Sequence, residues 1–142
     1  MELKELVSSL EPSKELKKLG VKQDSYFCWE PDTRLCFESD RFILGGAVLP
    51  SRLKYCYSAY TFAELLEKLP GRITTAERDD YFLLVTRTKK TKWFVLPDYY
   101  IGYKTLDDRY LRSERAETMA DAAAKMVIYL IKEGIIEVKK DV

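Results

Sequence analysis

One stretch near the end of the chain constrains the fold most. Ala116, Met119, Ala120, Ala123, Met126, Val127, Leu130 and Ile131 recur at helical spacing and predict one long amphipathic helix over residues 113–134. A helix with so wide an apolar stripe must bury it against other elements, so the chain is expected to pack a real core. The same helix lacks histidine, as does the whole chain. That removes the commonest general base and the commonest metal ligand.

Composition narrows the class further. At 142 residues, with 46% hydrophobic residues, the chain can build a core without a metal or disulfide staple. Basic and acidic residues number 24 and 23, a net charge of +1, so nucleic acid or an acidic membrane would have to be met by a local patch. The cleanest apolar run near the end, residues 126–131, is far too short to span a bilayer. The charged, amphipathic N-terminal residues carry no signal-type apolar core, which argues against export. Three cysteines, Cys28, Cys36 and Cys56, then read as reduced thiols of a cytoplasmic protein.

Along the chain, Leu3, Leu6, Val7 and Leu10 suggest a short first helix. Pro12 is suited to open a second one at its first position, and Gly20 to end it. Residues 25–30 and 34–38 read as a hairpin around Pro31-Asp32-Thr33, with Glu30 facing Arg34 and Cys28 facing Cys36. Short strands are expected near 42–44 and 53–57. Thr61 and Glu64 form a capping box, with Tyr60 and Leu65 as the hydrophobic staple, ahead of the stripe Phe62, Leu65, Leu66, Leu69. Pro70-Gly71 stops that helix. Residues 80–87 and 92–96 read as a second hairpin, 97–112 as loop, and 135–138 as a short edge strand. The order of elements argues for a single α+β domain over residues 1–142. It has a small, mainly antiparallel sheet of two hairpins, helices packed on one face and a long C-terminal helix.

Residues 13–30 (SKELKKLGVKQDSYFCWE), 60–70 (YTFAELLEKLP) and 117–136 (ETMADAAAKMVIYLIKEGII) together resemble a class of small uncharacterised proteins encoded by gut bacteria and their prophages or mobile elements. The resemblance implies a cytoplasmic bacterial or phage-type protein. It transfers no activity and no catalytic residue.

Most chemistry is excluded or thinly supported. Without histidine there is no Ser–His or Cys–His nucleophile pair, and no G-x-S-x-G, Walker or G-x-G-x-x-G motif occurs. The cysteines lack C-x-x-C spacing and read as buried small hydrophobes rather than zinc ligands. Pro97-Asp98 with Glu137-Val138-Lys139 resembles the PD…(D/E)xK nuclease pattern, but a long helix separates the halves. Glu114, Glu117 and Asp121, continued by Lys125 and Lys132, read as a solvated helix stripe with an Asp121–Lys125 pair rather than a metal site.

Two surfaces are left. Arg87, Lys89, Lys90, Lys92 and Trp93 crowd the tip of the second hairpin, a combination suited to backbone contact and base stacking on single-stranded nucleic acid. Tyr99, Tyr100 and Tyr103 in the expected loop, with Ile128 on the polar stripe of the last helix, suit a protein contact. The leading expectation is therefore a non-enzymatic binding protein with an unknown protein partner. Its alternatives are a nucleic-acid-binding module and, third, a carboxylate-based metal enzyme. No catalytic residue, cofactor, metal or membrane contact is assigned.

Overall fold

The computed structural model describes residues 2–32, 41–46, 54–87 and 99–138. Within them lie two antiparallel sheets and four helices, an α+β fold. Helices α1 (Leu3–Leu6) and α2 (Leu10–Lys18) are separated by extended backbone at Val7. Val7 bridges to Thr61 and is fully buried, so the leucine spacing at the start does not make one helix through Leu10. Ser9 is the N-cap of α2, which puts Pro12 in the first turn but not at its first position. Gly20 ends α2 as expected. At φ +88° it lets its own N–H reach the Lys17 carbonyl and the Val21 N–H reach the Leu16 carbonyl.

The first sheet runs β2-β1-β3, from β1 (Phe27–Pro31), β2 (Phe42–Gly46) and β3 (Tyr57–Ser58). The expected pairing of 25–30 with 34–38 is overturned. Cys28 stands opposite Gly45 on one side and Ser58 on the other, and Glu30 opposite Ile43, while Arg34 and Cys36 lie outside the described residues. Both edges of β1 are thus taken by strands more distant in sequence.

Helix α3 (Phe62–Lys68) follows the capping box that its sequence announces. The Glu64 N–H donates to the Thr61 hydroxyl at 3.2 Å, and the Thr61 N–H to the Glu64 carboxylate at 3.0 Å.

The second sheet runs β4-β5-β6-β7, from β4 (Arg72–Thr74), β5 (Asp80–Arg87), β6 (Tyr99–Lys104) and β7 (Tyr110–Ala116). Here four expectations are corrected. β5 pairs with β6, from Phe82 opposite Lys104 to Arg87 opposite Tyr99, and residues 92–96 lie outside the described residues. Residues 99–104 and 110–116 are strands rather than loop, in keeping with the strand preference of tyrosine and isoleucine. The last helix, α4 (Met119–Lys132), starts later than its apolar spacing suggests. Thr118 caps it by accepting from the Asp121 N–H at 3.2 Å, and Ser113, Glu114, Arg115 and Ala116 belong to β7. Residues 135–138 form no strand; Ile136 and Val138 pack instead against the core.

That core gathers Leu16, Tyr60, Leu65, Ile101, Tyr103, Met126, Val127 and Leu130: α4 packs on β6 and β7 of the second sheet, and α2 and α3 pack on α4. Two ties hold α4 to α2. Asp121 accepts from the Ser9 N–H and hydroxyl, and Lys132 meets Glu15 at 3.0 Å.

Candidate functional site

The site follows from strand alternation. Ile73, Tyr81, Leu83, Ile101 and Tyr103 point to the helices and belong to the core or pack on it. Residues one step away, Arg72, Phe82, Leu84, Tyr100, Gly102 and Lys104, therefore share the opposite face. Phe82 is 39% exposed, Tyr110 56% and Leu106 92%. Phe82, Leu84, Lys104 and Leu106 line a shallow hollow of about 290 Å³.

Gly102 lets Tyr110 lie across this face. A β-carbon at Gly102 would stand 3.2 Å from the Arg112 carbonyl oxygen, 3.3 Å from the Ser113 Cβ and 3.4 Å from the Tyr110 ring. Tyr100, half-buried, carries the guanidinium of its cross-strand neighbour Arg115 at 4.3 Å from the ring centre.

Two hairpin loops of the same design frame one end of the sheet. In each, a threonine accepts from the residue three positions on and donates to the residue four positions on: Thr75 with Arg78 and Asp79, Thr105 with Asp108 and Arg109. The fourth loop residue, Arg78 or Asp108, takes φ +65°. Arg109 ties the loops together, meeting Asp107 at 3.2 Å and Asp79 at 3.4 Å. The Thr105 hydroxyl and then Arg109 hold the Asp107 carboxyl below its ordinary range.

The cations of the open face are largely matched by acids. Lys104 meets Asp108 at 2.8 Å, which raises the Lys104 pKa, and Arg72 meets Asp80 at 3.9 Å. What the face offers beyond its own pairs is apolar area.

The structure divides the residues expected to make a protein contact. Tyr103 is fully buried, and its hydroxyl donates to the Pro70 carbonyl at 2.6 Å. Tyr99 packs against the core, with Arg87 over its ring at 5.4 Å. Ile128 also packs against the core. It falls on α4 between Asp121 and Lys132, both tied to α2, which is why an apolar residue stands on that stripe. Only Tyr100 reaches the open face. A loop would not have sorted these tyrosines, but a strand alternates them.

Of the basic tip, Arg87 is exposed at the end of β5, and Lys89, Lys90, Lys92 and Trp93 lie outside the described residues. The acidic stripe does not exist as one helix face, because Glu114 is on β7, paired with Arg112 at 2.9 Å. Asp121 is held by Ser9, and Lys125 donates to the Arg115 carbonyl instead of meeting Asp121. Asp98 and Lys139 lie outside the described residues, and Glu137 is exposed. Cys28 and Cys56 are buried thiols, with the Lys17 ammonium donating to the Cys56 carbonyl at 2.8 Å. Burial lowers the Lys17 pKa. Among the described residues, no group of three or more histidine, cysteine or acidic side chains could hold a metal ion.

Sequence reasoning missed Phe82, Tyr110 and Leu106. Phe82 lay within a run apolar on both faces, which reads as a strand covered on both sides. A larger hollow, about 420 Å³, lies among Val21, Glu64, Glu67, Ile131 and Glu137. Its Glu64 is already committed to the capping box and to the Ser25 hydroxyl, so it is a poorer candidate.

Comparison with protein-family models, with curated proteins and with solved structures gives no match. No described helix is long and apolar enough to cross a membrane.

Proposed function

We propose that this protein is a non-enzymatic binding module, working in the cytoplasm, that holds a protein partner on the open face of the second sheet. One observation carries the reading. Phe82 and Leu106 are exposed around a hollow and Tyr110 is exposed on the far side of Lys104, while the lysine and arginine beside them, Lys104 and Arg72, are matched by Asp108 and Asp80. A clustered apolar surface with a rim of both charge signs suits a partner that inserts a large apolar side chain. The resemblance adds a phage or mobile-element setting to this proposal, which the genes flanking it would test.

Phe82→Asp and Tyr110→Ser probe the face without touching its buried side. Each should leave the melting temperature within a few degrees and weaken the partner complex by about tenfold or more. Unchanged association would move the site elsewhere.

A second reading rests on two cation–aromatic pairs, Arg115 over Tyr100 on the open face and Arg87 over Tyr99 on the other. Such groups can contact single-stranded nucleic acid. It requires oligonucleotide binding that falls with salt and is abolished by Lys89→Glu with Lys90→Glu.

A further inference from the structure

Among the described residues, the strand order leaves two outer edges on the second sheet. β4 has three residues, too short to template much pairing, whereas β7 has seven. Arg112, Ser113 and Arg115 are exposed along it. The close approach of Gly102 and Ser113 marks them as a non-hydrogen-bonded pair, with the Arg112 carbonyl turned inward to β6. Alternation then turns the peptide groups of Ser113 and Arg115 outward. The Arg115 carbonyl bears this out, since it accepts from the Lys125 ammonium of α4 at 2.9 Å.

We propose that β7 pairs antiparallel with β7 of a second copy of this chain, about a two-fold axis through Ser113. The charges select this axis. An axis through Glu114 would set that residue against the partner's Glu114, and one through Arg115 would set it against the partner's Arg115; like charges directly opposite are unfavourable. The Ser113 axis sets Arg112 opposite the partner's Glu114, and does so twice by symmetry. Arg112 and Glu114 already share a face and meet at 2.9 Å, so the pairing closes an alternating ring of four charges. The outward N–H and C=O of Ser113 meet those of the partner's Ser113. Lys125 works against the contact, because its ammonium occupies the Arg115 carbonyl that the pairing would use. The open faces of the two copies would lie side by side on one continuous sheet.

Sedimentation of the purified full chain over a range of concentrations tests this. The wild type should pass reversibly from monomer to dimer. Ser113→Pro removes the outward N–H and should weaken the dimer by about tenfold or more. Arg112→Glu should weaken it similarly, and adding Glu114→Arg to that variant should restore it, with circular dichroism checking the fold of each. Lys125→Ala should tighten it several-fold. A wild type that stays monomeric throughout, a dimer indifferent to Ser113→Pro, or a double charge swap that fails to restore association would overturn the proposal. An extended segment of another protein adding to β7 while the chain itself stays monomeric would overturn it as well.

Discussion

The Asp121 carboxylate accepts both the N–H and the hydroxyl of Ser9, 112 residues away in the chain, at 2.7 and 2.9 Å. Ser9 is the N-cap of α2, and Asp121 stands in the first turn of α4. One carboxylate thus lies at the positive ends of two helices and pins them together. Asp121→Ala should cost about 1–2 kcal/mol, read as a lower midpoint in urea denaturation. Asp121→Asn should cost less, since an amide oxygen still accepts. A cost near zero for both would mean that the packing of α2 on α4 needs no such tie.

Tyr60 and Tyr103 make the fold sensitive to alkali. Burial raises the pKa of both phenols. Tyr60 donates to the Lys22 carbonyl, and Tyr103 to that of Pro70. With the folded pKa above the unfolded value of about 10, their contribution is complete below that pH and is lost as pH rises beyond it. Denaturant melts at stepped pH should show stability falling in the alkaline range. Tyr103→Phe should flatten that fall while costing about 1–2 kcal/mol at neutral pH, because the Pro70 carbonyl loses its donor. An unchanged alkaline slope in Tyr103→Phe and in Tyr60→Phe would contradict this account.

What was legible in the sequence was local. Thr61 with Glu64, and Gly20 just past Lys18, carry their geometry in a few neighbouring residues, and helix α3 and the end of α2 follow from them. The start of α4 was harder. Ser113, Glu114, Arg115 and Ala116 suit a helix on spacing alone, yet the edge of β6 recruits them as a strand and Thr118 restarts the chain as a cap. The partners of Cys28 could not be read, because Gly45 and Ser58 come from distant segments. The open face was hidden for the same reason. Whether Phe82 is covered depends on which side of the sheet α4 takes, and nothing near Phe82 in the chain says so.

Gly102 gives a sharp test of the sheet itself. Valine is normally favoured in strands. Here its β-carbon would press on the Arg112 carbonyl and on Ser113, backbone and near-backbone groups that yield little. Gly102→Val should therefore destabilise by about 1–3 kcal/mol and lower the melting temperature. A neutral or stabilising result would show that β6 and β7 do not approach as closely as described.

If the open face binds a protein, capture from the native host's lysate will retrieve it. Tagged wild type, Phe82→Asp and Lys22→Glu, the last substituted away from the face, would be compared by quantitative mass spectrometry and absorbance. One protein at near-equal amount is expected with the wild type and with Lys22→Glu, and its loss with Phe82→Asp. Capture that survives Phe82→Asp, or copurifying nucleic acid released by salt in place of a protein, would contradict binding at the open face.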